Sequence, residues 1–260
     1  MPELPGIGCL VSKRGIFMDE RYTRQEMLLG PEAMARLYNA HVAVFGLGGV
    51  GSYTVEALAR AGIGELTLVD HDSYGLSNIN RQLGALTSTL GNSKVSVMGR
   101  RVSDINPLIK VHTFEAMYTS ENRELFFKHK YDYIVDAIDL VSSKLDLIIT
   151  AMEREIPIIS SMGMGNRLDP SKLEITDISK TSYCPLARII RRELRKKGVF
   201  HHRVLFSSEK AIVPERNNRE QPPPGRRSIP GSVSWVPSCA GLMLAGEVVL
   251  QISGFKRRDG

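Results

Sequence analysis

Glycines, carboxylates and cations able to handle a nucleotide fall close together in the first 140 residues. Gly46, Gly48 and Gly51 stand in Gly46-Leu-Gly48-Gly49-Val-Gly51. Glycine lets a backbone approach an anion, and a helix starting there points amide hydrogens and partial positive charge at it. Asp70 follows, with Asp72 just beyond it. An acid at the end of the second strand accepts hydrogen bonds from a ribose. Up to this point a nicotinamide-dependent dehydrogenase would look the same. The residues downstream separate the two readings: Ser77-Asn78-Ile79-Asn80-Arg81-Gln82, Lys94 and Asp136-Ala-Ile-Asp139. A dinucleotide's pyrophosphate is handled largely by backbone amides. Transfer from a triphosphate needs fixed cations and usually a metal. Arg81 and Lys94 can supply the cations, and Asp139 can hold Mg²⁺. Singly, each has an ordinary alternative as a surface cation or a helix-capping acid. Together they favour ATP.

These residues need a strand–turn–helix frame. His41-Val-Ala-Val-Phe45 is an apolar, β-branched run that stops at the glycines and reads as a buried strand. Ser52 to Ala61 has apolar residues at helical spacing and stops at Gly62; Leu66 to Val69 is a second strand. Lys94 to Ile105 reads as a helix, Val111 to Phe114 as a strand, and Tyr133 onward as a strand ending in the Asp136–Asp139 motif. A helix from about Val141 to Arg154 and a strand over Ile156–Ser160 complete the alternation. The expected fold class is α/β, a doubly wound, mostly parallel, Rossmann-like sheet with a basic helix-and-loop C-terminal region.

After residue 160 the pattern changes. Leu173 to Ile178 alternates like a half-exposed strand. Pro185 suits the first position of a helix over Leu186–Lys197. That helix places Leu186, Ile190 and Leu194 on one face and Arg188, Arg191, Arg192 and Arg195 on another. Arg216 to Gly231 should be a mobile loop, and 239–252 a last apolar helix against the sheet. The expected division is an N-terminal segment (1–20), an ATP-binding core (21–180), a basic helix and loop (181–231) and a C-terminal helix (232–260).

Charge supports that division. Residues 1–160 carry 16 Lys and Arg against 19 Asp and Glu, and residues 161–260 carry 18 against 9. The basic excess concentrates in 188–227, where 12 cations meet 4 acids, a footprint suited to a polyanion. A solvated helix face is the ordinary alternative. With 42% hydrophobic and 24% charged residues, the chain is globular in composition. Its three cysteines, Cys9, Cys184 and Cys239, include no Cys-x-x-Cys pair, which argues against a zinc ribbon or a disulfide framework. The apolar stretch Cys239–Ile252 is interrupted by Glu247 and is too short to span a membrane, so a cytoplasmic location is expected. Cys184, just before a helix, is the only plausible thiol nucleophile, though more often such a residue is structural. Cys239 reads as core. His201-His202, in a basic loop with no partner acid, reads as exposed rather than metal-binding.

The set Arg21-Tyr-Thr-Arg24-Gln25, Gly46–Gly51, Leu68-Val-Asp70-His-Asp72, Ser77–Gln82, Lys94 and Asp136–Asp139 resembles the ThiF/MoeB superfamily, the relatives of ubiquitin-activating enzymes. The resemblance implies adenylation of a carboxylate by ATP·Mg²⁺ with release of pyrophosphate. It implies that Asp70 holds the ribose, that Asn78, Arg81 and Lys94 contact phosphates, and that Asp139 ligates the metal. It further implies that Arg24 reaches across a homodimer into the partner's site; an N-terminal salt bridge is the ordinary alternative for Arg24.

Within the superfamily, Asp177-Ile-Ser-Lys-Thr181, Pro185-Leu-Ala-Arg188 and Leu205-Phe-Ser-Ser-Glu209 look like the branch of tRNA threonylcarbamoyladenosine dehydratases. Cys184 replaces that branch's usual acid before the proline. The implied reaction is ATP-dependent ring closure of threonylcarbamoyladenosine in tRNA. Arg188, Arg191, Arg192, Arg195, Lys196 and Lys197 are the expected tRNA contacts. A monovalent cation, Na⁺ or K⁺, is a further cofactor this branch could carry. The alternative is an adenylyltransferase or sulfur-transfer enzyme activating a ubiquitin-like carrier, with a sulfur-transfer protein as partner and a need for Cys184.

Overall fold

The structure, a computed structural model, describes residues 10–11, 17–215 and 230–255. Strands β1 (Leu10–Val11) and β2 (Phe17–Met18) form a short antiparallel pair. Helices α1 (Thr23–Leu29) and α2 (Pro31–Tyr38) meet at Gly30, whose φ of +84° turns the chain before Pro31 starts the second helix. Then come β3 (His41–Phe45), α3 (Gly51–Arg60), β4 (Glu65–Val69), α4 (Lys94–Ile105) and β5 (Lys110–Phe114). They are followed by α5 (Arg123–Phe126), β6 (Tyr133–Asp136), α6 (Val141–Glu153) and β7 (Ile158–Ser161). The chain continues through β8 (Leu173–Asp177), α7 (Pro185–Lys196), β9 (Arg203–Ser207) and α8 (Trp235–Ser253).

Seven strands make one sheet in the order β5-β4-β3-β6-β7-β9-β8, parallel throughout except β8, which runs antiparallel to β9. The chain winds outward from β3 to β5, then returns to β6 on the other side of β3. A crevice opens between the carboxyl ends of β3 and β6, where open α/β sheets bind ligands. Strands β3, β6 and β7 are buried along their whole length. Covered on both faces, β3 and β6 carry nearly continuous apolar runs rather than alternation.

One face of the sheet packs against α2, α3, α4 and α8 through Leu37, Val55, Leu58, Met98, Leu244 and Val248. The other packs against α5, α6 and α7 through Phe126, Leu147, Ile148, Ala187, Ile190 and Leu194. The segment 181–231 therefore holds more than a basic helix and loop: β9 lies inside the sheet, between β7 and β8. Residues 216–229 of the expected loop lie outside the described residues, as does Cys9.

Helix α8 is longer than the sequence suggested and packs chiefly on α3. The Thr54 hydroxyl donates to the carbonyl of Gly241 at 3.1 Å. A Cβ at Gly241 would lie 2.3 Å from the Val50 carbonyl oxygen, so glycine is required at this crossing. By length and composition α8 could cross a membrane. Here half of it is buried within the protein, and its Glu247 accepts from Arg203 at 2.7 Å.

Candidate active site

The crevice encloses about 610 Å³, within the roughly 300–1,000 Å³ usual for small-molecule sites. Gly46, Gly48, Gly49, Asp70, Asp72, Asn78, Arg81, Gln82, Lys94 and Asp139 all line it. The sheet thus brings together residues spread over nearly a hundred positions. Gly51 and Arg24 are not in its wall.

The glycines divide the work. Gly46 has φ +89°, and a Cβ there would lie 2.7 Å from the carbonyl oxygen of Ala137. A Cβ at Gly51 would lie 1.7 Å from the carbonyl oxygen of Gly46. These two allow the turn to close against β6. Gly48 faces open space, the nearest atom to a Cβ being Nε2 of Gln82 at 4.0 Å, and so leaves room for a ligand.

Asp70 braces this turn. Its Oδ2 accepts from the Leu47 amide at 2.6 Å and its Oδ1 from the Asp72 amide at 2.8 Å. A carboxylate oxygen retains a second acceptor direction, which can serve a ribose hydroxyl. Lys94 opens α4 with its side chain buried, and its Nζ lies 2.8 Å from Oδ2 of Asp72 and 3.7 Å from Oδ1 of Asp70. Burial pushes the Asp72 carboxyl up, but the Lys94 hydrogen bond and charge pull it further down, so its pKa is below the usual carboxylate value. A cation held in this way needs little reorganisation to meet a phosphate.

The segment after β4 is also braced. Gly75 donates to Oδ1 of Asn78 at 3.0 Å, and Nη1 of Arg81 donates to the Ser77 carbonyl at 2.8 Å and to Oδ1 of Asn80 at 2.9 Å. Oε1 of Gln82 is a buried acceptor without a hydrogen-bond partner. In a cavity wall such an atom suits a polar ligand, because leaving it unpaired costs about 1–3 kcal/mol. Asp139 lies three residues past the end of β6 at Asp136, on the exposed rim. Carboxylates and phosphate oxygens are the ligands Mg²⁺ prefers, and Asp139 offers the former beside the space for the latter.

Sequence reasoning missed the support beneath this rim. Nζ of Lys144 donates to Oδ2 of Asp136 at 2.7 Å and to the Ser161 carbonyl at 3.0 Å, tying the carboxyl ends of β6 and β7 together. The available signal was a lysine within the apolar pattern of α6. Also missed were Pro230, Gly231 and Ser232, assigned to or just beyond a mobile loop; they form part of the cavity wall. Asn166 and Gly231 exchange hydrogen bonds at 2.8 and 2.7 Å, and Nδ2 of Asn80 donates to the Ser232 carbonyl at 2.9 Å. His202 corrects the reading of two exposed histidines. His201 is exposed, but His202 is buried with Nε2 2.8 Å from Oγ of Ser160. Desolvation, helped by the nearby Lys144 charge, pushes its pKa down to about 3.

Arg24 sits exposed on α1, beside Met27 and Leu28, which are also exposed. On α7, Arg188, Arg192, Arg195 and Lys196 are exposed, as is Lys197 at its C-cap. Arg192 and Lys196 both pair with Glu193, at 2.8 and 2.9 Å. Arg191 is half-buried, and its Nη1 donates to the carbonyls of Ile178 and Thr181 and to the Thr181 hydroxyl at 3.2, 2.9 and 2.6 Å. Cys184 is buried at the N-cap of α7, its sulfur accepting from the Ala187 amide at 3.5 Å. Cys239 is partly buried against the core.

A profile of the ThiF family matches residues 22–259. The tRNA threonylcarbamoyladenosine dehydratase of Bacillus subtilis is 42% identical over 242 residues, covering 90% of this chain and 95% of that protein. The Escherichia coli tRNA N6-threonylcarbamoyladenosine dehydratase, TcdA, solved in complex with AMP, superposes with a TM-score of 0.83 at 30% identity and covers 95% of this chain and 98% of its own. The same enzyme in complex with ATP gives a TM-score of 0.82 at 31% identity, covering 94% and 97%.

Proposed function

We propose that this chain, which belongs to the ThiF family, dehydrates N6-threonylcarbamoyladenosine in tRNA at the expense of ATP. The observation that carries the reading is the crevice at the β3–β6 switch, where a glycine turn, a buried Lys94 and the acids Asp70, Asp72 and Asp139 share one wall. The near full-length likeness to dehydratases adds the substrate.

The chemistry balances as follows. A threonyl carboxylate oxygen attacks the α-phosphorus of ATP, and pyrophosphate leaves. The neighbouring carbamoyl group attacks the activated carbonyl and loses a proton to solvent, and AMP departs with the former carboxylate oxygen. The net change in the nucleoside is loss of one water. Because the attacking group is in the same molecule, effective molarity is high and no enzyme thiol is required. That agrees with Cys184 as a buried helix cap.

Asp70 orients the ribose, while Lys94, Arg81 and the α3 N-terminus neutralise charge that grows on the leaving pyrophosphate. Asp139 would hold Mg²⁺, which supplies Lewis-acid stabilisation of the phosphate oxygens when bound. Exposed cations of α7 meet the tRNA backbone, and Arg24 serves the site of a partner protomer. A cytoplasmic location follows from the substrate.

The reading is tested by incubating the protein with ATP, Mg²⁺ and tRNA carrying threonylcarbamoyladenosine, then weighing the digested nucleosides. ATP-dependent loss of one water is expected. No mass change, with AMP formed only when a ubiquitin-like carrier is supplied, would transfer the chain to the carrier-activating branch.

A further inference from the structure

At the amino end of the strands, opposite the crevice, imidazoles and a carboxylate converge on one point. His41 opens β3, Glu65 opens β4 beside it, and His112 lies on β5 across from Thr67. Oε1 of Glu65 is 3.4 Å from Nδ1 of His41 and 2.7 Å from Nε2 of His112. The three ligand atoms all lie within 4.8 Å of one another. A third imidazole, His129, has its ring centroid 4.5 Å from that of His112 and 5.8 Å from that of His41. Nε2 of His41 meets Oγ1 of Thr67 at 2.8 Å, an outer contact of the kind that fixes the ring of a metal-bound histidine.

We propose that His41, Glu65 and His112 form a binding site for a divalent transition ion such as Zn²⁺, with the His129 ring beside it. Bonds of about 2.0–2.1 Å in tetrahedral geometry set neighbouring ligands roughly 3.3 Å apart. The His41–Glu65 pair already stands at that spacing. The His112–Glu65 pair must widen by about 0.6 Å, and β5 is the edge strand of the sheet, hydrogen-bonded to β4 on one side only. His41 is buried while Glu65 and His112 are half-buried, which gives an ion a way in from solvent. Two imidazoles and one carboxylate select zinc, cobalt, nickel or copper over magnesium or calcium. The ion replaces the proton that His112 shares with Glu65 and links the edge strand to the centre of the sheet. The site is independent of the nucleotide: β3 carries it at one end and the glycine turn at the other, about 16 Å away at 3.3 Å per residue.

The test uses the full chain, stripped with a chelator and titrated with Co²⁺ and then Zn²⁺. Wild type should bind Co²⁺ with the intense visible absorption of a four- or five-coordinate site, and Zn²⁺ should abolish it. His112→Ala and Glu65→Gln, each confirmed folded by circular dichroism, should weaken Co²⁺ binding by about tenfold or more. His71→Ala should leave it intact, which separates this site from the Asp70, His71 and Asp72 group in the crevice. No absorption in wild type, equal binding by both variants, or loss with His71→Ala would each overturn the proposal.

Discussion

Asp136 and Lys144 form an ion pair of 2.7 Å with neither side chain exposed to solvent, directly beneath the rim that carries Asp139. Nζ of Lys144 also holds the Ser161 carbonyl, so one ammonium fixes the ends of two adjacent strands. Removing either partner leaves a charge buried without compensation. Lys144→Ala should cost about 3–5 kcal/mol of stability, read by urea denaturation. Lys144→Met with Asp136→Leu should recover part of that stability while ATP turnover stays low, because the rim has lost its anchor.

Lys94→Ala should abolish turnover yet leave tRNA affinity within about twofold, since in the proposed reaction the lysine serves charge that develops on the phosphates. Single-turnover assays and filter binding separate the two. Full activity in this variant would remove the adenylation reading. The substitution also has an acid signature. The Asp72 pKa is depressed, so its stabilising contribution is present above the unfolded value and is lost as pH falls through the folded one. Without Lys94 that contribution disappears, and acid unfolding below about pH 4 should begin earlier.

His202 gives the opposite type of group the same direction of pH dependence. Held neutral by burial, it has a folded pKa near 3, against about 6.5 when unfolded. Below the unfolded value the unfolded chain takes up a proton that the native state refuses. Stability should therefore fall from about pH 6.5 toward pH 3 with a slope near 1.4 kcal/mol per pH unit for this one group. His202→Asn should flatten that part of the profile, as measured by thermal denaturation across the range.

Arginines one position apart on α7 should behave differently. Arg192→Ala with Arg195→Ala should reduce the slope of log affinity for tRNA against log salt by about 0.7–0.9 per lost phosphate contact, with stability little changed. Arg191→Ala should instead lower stability by about 1–3 kcal/mol, because its guanidinium satisfies the Ile178 and Thr181 carbonyls. An unchanged salt slope in the double variant would place the tRNA surface elsewhere.

What the sequence made legible was local. The glycine turn, the helix Lys94–Ile105 and the strand Tyr133–Asp136 announce themselves through short-range period and composition, and each stands where it was expected. The crevice wall was legible because a strand–turn–helix grammar fixes where strand ends meet. What escaped was convergence over distance. Strand β9 inserts between β7 and β8 from forty residues downstream of β7, and only hydrogen bonding across strands reveals it. Arg191 lies within an arginine-rich stripe, and its sequence neighbours give no sign that it faces two carbonyls of the preceding turn. His202 looked like its exposed neighbour because a strand about to enter a sheet turns successive side chains to opposite sides.

Helix α8 follows every other described element in the chain, yet it supplies the cover over α3, the helix that starts at the glycine turn. A chain emerging from the ribosome therefore passes through a stage in which the glycine turn has been made but its backing has not. The apolar flank of α3 is bare during that interval, a target for chaperones and for premature association. A chain lacking Trp235–Ser253 should therefore lose both this backing and its hold on a nucleotide.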